Sequence, residues 1–172
     1  MKNFEVEQKY RIKNPAPIRR ALRGLKAKKI SAGAEHNTLY DSAGRLRKRE
    51  TVLRLRLAPG GKGLLTFKGP RLKGAYKKRV EMETAVDHAR MKKILELLGF
   101  RPAASYSKYR EEYKLGRHHV TIDRLSGKGW FLEIEGAAGG IGRIAKALGL
   151  KSKDREDRTY LEILANRKFR GI

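Results

Sequence analysis

Along most of the chain, apolar and polar residues change places at every second position. That is the period of a strand whose two faces meet different surroundings. The stretch "NFEVEQKYRI" (3–12) sets Glu5, Glu7 and Lys9 on one face and Phe4 and Val6 on the other. "EHNTLYD" (35–41) reads as a second strand, followed by a turn at "SAGRL". "VLRLRLA" (52–58) puts Arg54 and Arg56 opposite Leu53, Leu55 and Leu57. After the hairpin loop "APGGKG", "LLTFKG" (64–69) puts Thr66 and Lys68 opposite Leu65 and Phe67. "AYKKRVEMET" (75–84) sets Arg79, Glu81 and Glu83 against Val80 and Met82. "SYSKYREEYKL" (105–115), a short "GR" turn, "HHVTID" (118–123) and "GWFLEIEG" (129–136) complete eight strands. In the last three, Lys108 and Arg110 share a face, as do Thr121 and Asp123, and as do Glu133 and Glu135.

Four segments leave this period for the helical one. "PAPIRRALRGL" (15–25) has proline at its start and a stripe of Ile18, Leu22 and Leu25. "DHARMKKILELLGF" (87–100) has Asp87 as its cap, Gly99 as its stop, and a stripe of Met91, Ile94, Leu95 and Leu98. "IGRIAKALGL" (141–150) is closed by Gly149, and "REDRTYLEILANRKF" (155–169) is a last helix with a basic tail. No linker, internal repeat or low-complexity stretch divides residues 1–172, so a single domain is expected. The class is α+β: an eight-stranded antiparallel sheet with helices between the strands. Eight such strands close into a barrel, which removes both exposed edges.

Composition changes which face is read as the inside. Ionisable groups fill one face of seven strands: Glu5, Glu7, Lys9, Arg54, Arg56, Lys68, Arg79, Glu81, Glu83, Lys108, Arg110, Asp123, Glu133 and Glu135. The ordinary origin of alternation is a sheet with one wet face and one core face. Wet faces mix Ser, Thr, Gln and Lys loosely, whereas here the pairs are strict: Glu-x-Glu twice, Arg-x-Glu-x-Glu, Arg-x-Arg and Lys-x-Arg. The helices also need an apolar face to dock on. If they dock outside, seven basic and seven acidic groups share the lumen and must pair or bind ions. Clustered carboxylates suit divalent cations, and clustered Arg and Lys suit phosphate oxygens.

The chain has no cysteine, which excludes disulfides and thiolate metal sites and leaves hard ions such as Mg²⁺ or Mn²⁺. There is no apolar run of signal-peptide or membrane-span length, so a cytoplasmic protein that does not enter membranes is expected. Net charge is 42 − 18 = +24. The lumen set is balanced, so this excess lies outside it, in runs such as "LKAKK", "GRLRKRE", "AYKKR" and "NRKFRGI". A basic protein that binds nucleic acid or polyphosphate non-specifically is therefore a competing reading, and steering of an anionic substrate is another use of the same charge.

These motifs, taken in order, resemble the CYTH superfamily, the triphosphate tunnel metalloenzymes. Its hallmark Glu-x-Glu-x-Lys is matched by Glu5, Glu7 and Lys9. The likeness continues through "HNTLYD", Arg54 and Arg56, "TFKGP" with Lys68, Arg79 with Glu81 and Glu83, Lys108 and Arg110, Asp123, and Glu133 with Glu135. "LLTFKGP", "GWFLEIEG" and "TYLEIL" are most similar to the class IV adenylyl cyclase-like branch, with thiamine triphosphatases close to it. One departure is Gly129 flanked by Lys128 and Trp130, where relatives more often carry small or plain apolar residues; Trp130 either guards the tunnel mouth or packs outside.

The resemblance implies an eight-stranded tunnel that binds a linear triphosphate: ATP, tripolyphosphate or thiamine triphosphate. It implies that Arg54, Arg56, Lys68, Arg79, Lys108 and Arg110 hold the phosphates. It also implies that Glu5, Glu7, Glu133 and Glu135, with Asp123 or Glu83, hold one or two Mg²⁺ or Mn²⁺ ions. Lys9 has three open roles: a base, a phosphate ligand, or a partner of Glu5 or Glu7. Two reactions fit, hydrolysis of the triphosphate and cyclisation of ATP to cyclic AMP; monomer and homodimer both stay open. His36 lies on a strand that reaches towards the lumen and is expected to bond a carboxylate. His119 shares the Thr121 and Asp123 face, and His88 is expected on the surface.

Overall fold

The computed structural model describes residues 4–166. Eight strands form one closed antiparallel ring in the order β1-β5-β4-β3-β2-β6-β7-β8. They are β1 (Phe4–Ile12), β2 (Lys28–Asp41), β3 (Val52–Leu57), β4 (Gly63–Lys68), β5 (Lys77–Val86), β6 (Arg101–Leu115), β7 (His118–Leu125) and β8 (Gly129–Glu135). Five helices are attached: α1 (Pro15–Gly24), α2 (Arg45–Lys48), α3 (His88–Leu97), α4 (Ala138–Ala147) and α5 (Tyr160–Leu164). None of the helices is long and apolar enough to cross a membrane.

The apolar faces point outward under helices. Ile18 and Leu22 of α1 and Ile141 and Ala145 of α4 are buried against Tyr10, Ile12, Val120, Ile122, Leu132 and Ile134 of β1, β7 and β8. Leu95 and Met91 of α3 pack on Leu53, Leu55 and Leu65 of β3 and β4. Burial of this apolar area holds the helices down, at about 1.5–3 kcal/mol for each fully buried aliphatic side chain. Cover is not complete: Phe4 and Met82 are 46% and 60% exposed, with only the Lys78 ammonium lying over the Phe4 ring.

Several elements differ from the expectation. β2 begins at Lys28 rather than at residue 35, because the 15-residue β6 pairs with it along nearly its whole length. The pattern "KKISAGA" carries no clean alternation, so only the partner strand reveals it. α2 stands where a turn was expected; Gly44 (φ 75°) opens it and the Asp41 carboxylate accepts from the Leu46 and Arg47 amides. In α3 only part of the predicted stripe is buried, since Ile94 and Leu98 are exposed while Leu95 is 4% exposed.

The last helix is five residues long instead of fifteen. The Glu156 amide donates to the Lys9 carbonyl at 3.0 Å and Arg155 bridges to Tyr10, which holds this stretch against β1. Thr159 then starts α5 with a reciprocal cap: its hydroxyl accepts from the Glu162 amide, and the Glu162 carboxylate accepts from the Thr159 amide. The basic tail from residue 167 on lies outside the described residues.

Candidate active site

Closure of the sheet turns the charged face inward. Thirteen of the fourteen predicted lumen groups line one cavity of about 680 Å³; the exception, Asp123, is fully buried in the wall behind it. Strand register sets the heights: Glu7 lies opposite Glu135, Lys9 opposite Glu133, Lys68 opposite Glu81, and Arg110 opposite Asp123. Three of these four pairs set opposite charges side by side, and the fourth brings two carboxylates together.

The first cluster joins β1, β4 and β5. The Lys68 ammonium donates to both Glu5 oxygens at 2.7 and 2.8 Å and to Glu81 at 2.7 Å, and the Arg79 Nε donates to Glu5 at 3.2 Å. Burial opposes the charge on Glu5, but Lys68, the Glu81 hydrogen bond and Arg79 together outweigh it and hold the carboxyl at about 2. Glu81 goes the other way, to about 7, through burial and its hydrogen bond with Glu5. Burial and the negative charge of Glu5 also push Glu135 up to about 7. Arg54 donates to Thr66 at 3.1 Å and to Glu83 at 3.4 Å, and Thr66 donates to Glu83 at 2.6 Å.

The second cluster joins β2, β6, β7, β8 and α5. Asp123 accepts from Arg110 Nε and Nη2 at 2.7 and 2.6 Å, from Lys108 at 2.8 Å and from the Tyr160 hydroxyl at 2.5 Å. Burial would raise its pKa, and the charges of Arg110 and Lys108 overcome that and hold it below the ordinary carboxylate range. Arg110 also reaches Glu133 at 2.6 Å. Lys9 pairs with Glu133 at 3.4 Å and donates to the Arg158 carbonyl at 3.1 Å. Its carboxylate partner is thus Glu133, and not Glu5 or Glu7, whose pairing with Lys9 was one of three open roles.

α5 lies across one end of the barrel, where Thr159, Tyr160 and Leu161 complete the cavity wall. Tyr106, Lys77, Glu112 and Tyr160 line the cavity in addition to the predicted set, while Glu35 and Asn37 are buried beside it and partner Arg56. Five of these extend an alternation already visible: Lys77 precedes Arg79, Tyr106 and Glu112 flank Lys108 and Arg110, and Glu35 and Asn37 share a face with Leu39. Tyr160 carries no such signal, because it comes from a helix.

The histidines and the tryptophan sort cleanly. His36 faces outward and bonds the Ser107 hydroxyl at 3.0 Å instead of a carboxylate. β2 turns Glu35 and Asn37, and not His36, towards the lumen. His119 lines the cavity and bonds Glu112 at 2.9 Å. His88 is half-buried with Nε2 enclosed, contrary to a surface position. Trp130 packs outside against the helix-covered core, with the Arg19 and Arg124 guanidinium groups over its ring.

Two features describe what the cavity accepts. Arg54 Nε, Asn37 Nδ2 and Thr121 Oγ1 are buried donors with no hydrogen-bond acceptor among the described residues, which suits an oxygen-rich anion. The carboxylates include two, Glu81 and Glu135, held protonated to near neutrality, and Glu135 makes no hydrogen bond or ion pair among the described residues. An all-oxygen donor set with mutually repelling carboxyls suits a hard divalent cation. No three carboxylate or histidine groups converge to ligating distance among the described residues.

The CYTH domain family matches residues 3–160. The chain belongs to the CYTH family. It is 29% identical to the "Putative adenylate cyclase" of Methanocaldococcus jannaschii, over 93% of this chain and 98% of that one. It is also 29% identical to Adenylate cyclase CyaB of Aeromonas hydrophila, over 91% of this chain and 86% of that protein. A solved structure from Vibrio parahaemolyticus superposes with TM-score 0.85 at 28% identity, covering 96% of this chain and 99% of its own. The Hippeastrum protein HpAC1, described as having a dominant triphosphatase activity, shares the fold at TM-score 0.71 and 16% identity, covering 96% of this chain and 97% of its own. The matched residues 3–160 span all eight strands of the barrel.

Proposed function

We propose that this CYTH protein binds a linear triphosphate in its tunnel and hydrolyses it with the help of a divalent metal ion, Mg²⁺ or Mn²⁺. One observation carries the reading. The lumen presents Arg54, Arg56, Lys68, Arg79, Lys108 and Arg110 around one cavity, with carboxylates concentrated on β1 and β8. Phosphoryl transfer asks for fixed countercharge and positioning, and this wall supplies both.

The roles divide by chemistry. The six cations hold phosphate oxygens, with the arginines acting as planar forks. Glu5, Glu7, Glu133 and Glu135 would hold the metal, with Glu83 at the rim of the set. When bound, the ion would neutralise phosphate charge and lower the pKa of water. Asp123 spends its oxygens on Arg110, Lys108 and Tyr160 and is buried, so we assign it to aiming the cations. Lys9 sits beside Glu133 and binds phosphate at the end covered by α5.

Binding of cation and anion is coupled through shared partners. Lys68 and Arg79 are both tied to Glu5. Lys68 and Arg79 would be free for phosphate if Glu5 turned to a cation, and Glu5 would be free for a cation if Lys68 and Arg79 turned to phosphate.

Cyclisation of ATP is the second reading, favoured by the adenylate cyclase names of two relatives that align over most of the chain. Incubation with ATP, tripolyphosphate and thiamine triphosphate, each with Mg²⁺ or Mn²⁺, followed by product identification, separates the two. Orthophosphate release from one or more of them is expected. Cyclic AMP as the main product would replace hydrolysis with cyclisation, and no turnover of any triphosphate would remove both.

A further inference from the structure

We infer that Tyr160 is a positioning residue of the tunnel, holding Lys9 and Lys108 in place for phosphate. The inference rests on the reading of the tunnel as a triphosphate site. Tyr160 belongs to α5, off the barrel, yet its ring enters the lumen wall. The Lys9 ammonium lies 3.8 Å from the ring centroid and the Lys108 ammonium 4.5 Å from it. Two ammonium groups on one ring repel each other. The negative face of the ring offsets part of that repulsion, beside the carboxylates Glu133 and Asp123 that pair with the two lysines.

The hydroxyl works on the same cluster. It donates to Asp123 Oδ2 at 2.5 Å, the oxygen that also accepts from Lys108 at 2.8 Å and Arg110 at 2.6 Å. Tyr160 therefore touches Lys9 and Lys108 directly and reaches Arg110 through Asp123. The ring is itself fixed. It stands edge-on to Phe131, with centroids 5.6 Å apart, and tilted to Tyr106 at 6.0 Å. The same segment ties Lys9 a second time, through the Arg158 carbonyl. Glu133 of β8 and Asp123 of β7 hold the same two lysines from the barrel wall, and Tyr160 adds the ring contact that the two lysines share.

Three variants separate positioning from packing: Tyr160→Leu, Tyr160→Phe and Ile163→Ala. Ile163 is buried in the same apolar cluster and touches neither lysine. Tripolyphosphate affinity is measured by calorimetry in EDTA, and kcat and KM are measured with Mg²⁺. Tyr160→Leu is expected to weaken metal-free binding about tenfold and to lower kcat about tenfold, the scale of two lost cation–ring contacts. Tyr160→Phe keeps the ring and restores most of that loss. Ile163→Ala lowers Tm as much as Tyr160→Leu but leaves affinity within about threefold, since it removes packing alone. Wild-type affinity in Tyr160→Leu, or an equal loss in Ile163→Ala, overturns the inference. A wild-type protein that binds no tripolyphosphate overturns the tunnel reading and this inference with it. Binding without turnover overturns only the proposed reaction, and the metal-free affinities still decide the role of Tyr160.

Discussion

At the residue scale, most of the lumen charges are paired with one another across neighbouring strands. Glu5 is held at about 2 by Lys68 and Arg79 against the cost of burial, while its neighbour Glu81 is held at about 7. A metal-bound triphosphate in the tunnel would replace these same pairings. Arg54 illustrates this: its Nη2 is used by Thr66 and Glu83, but its buried Nε has no acceptor among the described residues. Arg54→Ala is expected to lower kcat/KM for the preferred triphosphate about 10²-fold, the scale of a lost preorganised donor at a developing charge. A steady-state assay against wild type checks it, and an unchanged value would remove Arg54 from the phosphate set. The parity of "VLRLRLA" already placed Arg54 and Arg56 together. It carried no sign that Asn37 and Glu35 would take up Arg56 from the next strand, because that contact depends on register.

At the scale of elements, two small features position the site. The stretch between the 3₁₀ turn at Ser152–Asp154 and α5 is anchored by Glu156, whose carboxylate accepts from Arg158 at 2.8 and 2.7 Å and lies 3.5 Å from Arg11. The hydrogen bonds from Arg158 hold Glu156 at about 2, below its ordinary 4.5. A carboxyl depressed on folding stabilises above its unfolded pKa and loses that contribution as pH falls through its folded pKa. The loss therefore runs between about pH 4.5 and 2 and amounts to about 1–2 kcal/mol, discounted because Arg158 is a third exposed. Glu156→Gln is expected to flatten this part of the acid-stability curve, measured by denaturant unfolding from pH 6 down to 2. An unchanged slope would mean that Glu156 does not anchor the segment.

α4 gives a paired test of packing. A Cβ at Gly140 would overlap the His118 ring, whereas a Cβ at Gly139 would meet nothing within 4 Å. Gly139→Ala is expected to raise stability by about 0.5–1 kcal/mol, through lower entropy of the unfolded chain. Gly140→Ala is expected to lower it, because the His118 ring at the start of β7 must move off the helix. Thermal melts of both variants check the signs. If Gly140→Ala melted no lower than wild type, the His118–α4 contact would not be tight in solution.

At the scale of the whole molecule, charge is divided between two places. The predicted lumen set holds seven basic and seven acidic side chains, so the formal +24 lies outside it. We expect weak, non-specific RNA binding by this exterior, with affinity falling steeply between 50 and 200 mM salt. The double reversal Arg54→Glu with Arg56→Glu should abolish triphosphate binding and leave RNA binding within about twofold, measured by calorimetry and by filter binding. Parallel loss of both would argue for one shared site. The shared partners of cation and anion also predict linkage: Mg²⁺ should raise tripolyphosphate affinity about tenfold or more, and tripolyphosphate should raise Mg²⁺ affinity by the same factor. Absent coupling would separate the carboxylate set from the phosphate set.

The amino-acid sequence by itself determined the eight strands, the membership of their two faces and the pairing of charge types. Alternation depends only on local backbone geometry, and strict Glu-x-Glu and Arg-x-Arg spacing survives any rearrangement of the strands. Which face is inside was another matter. A charged face is the wet side of an open sheet and the lumen of a closed one, and the local period is the same in both. Closure of β1 onto both β5 and β8 decided it, with α1, α3 and α4 covering much of the apolar outside. The third dimension also brought in Tyr160, from a helix more than a hundred and forty positions after Lys9, and joined it to two lysines and Asp123. No pattern along the chain encodes a contact at that separation, because it exists only once the barrel is closed and α5 is laid across its end.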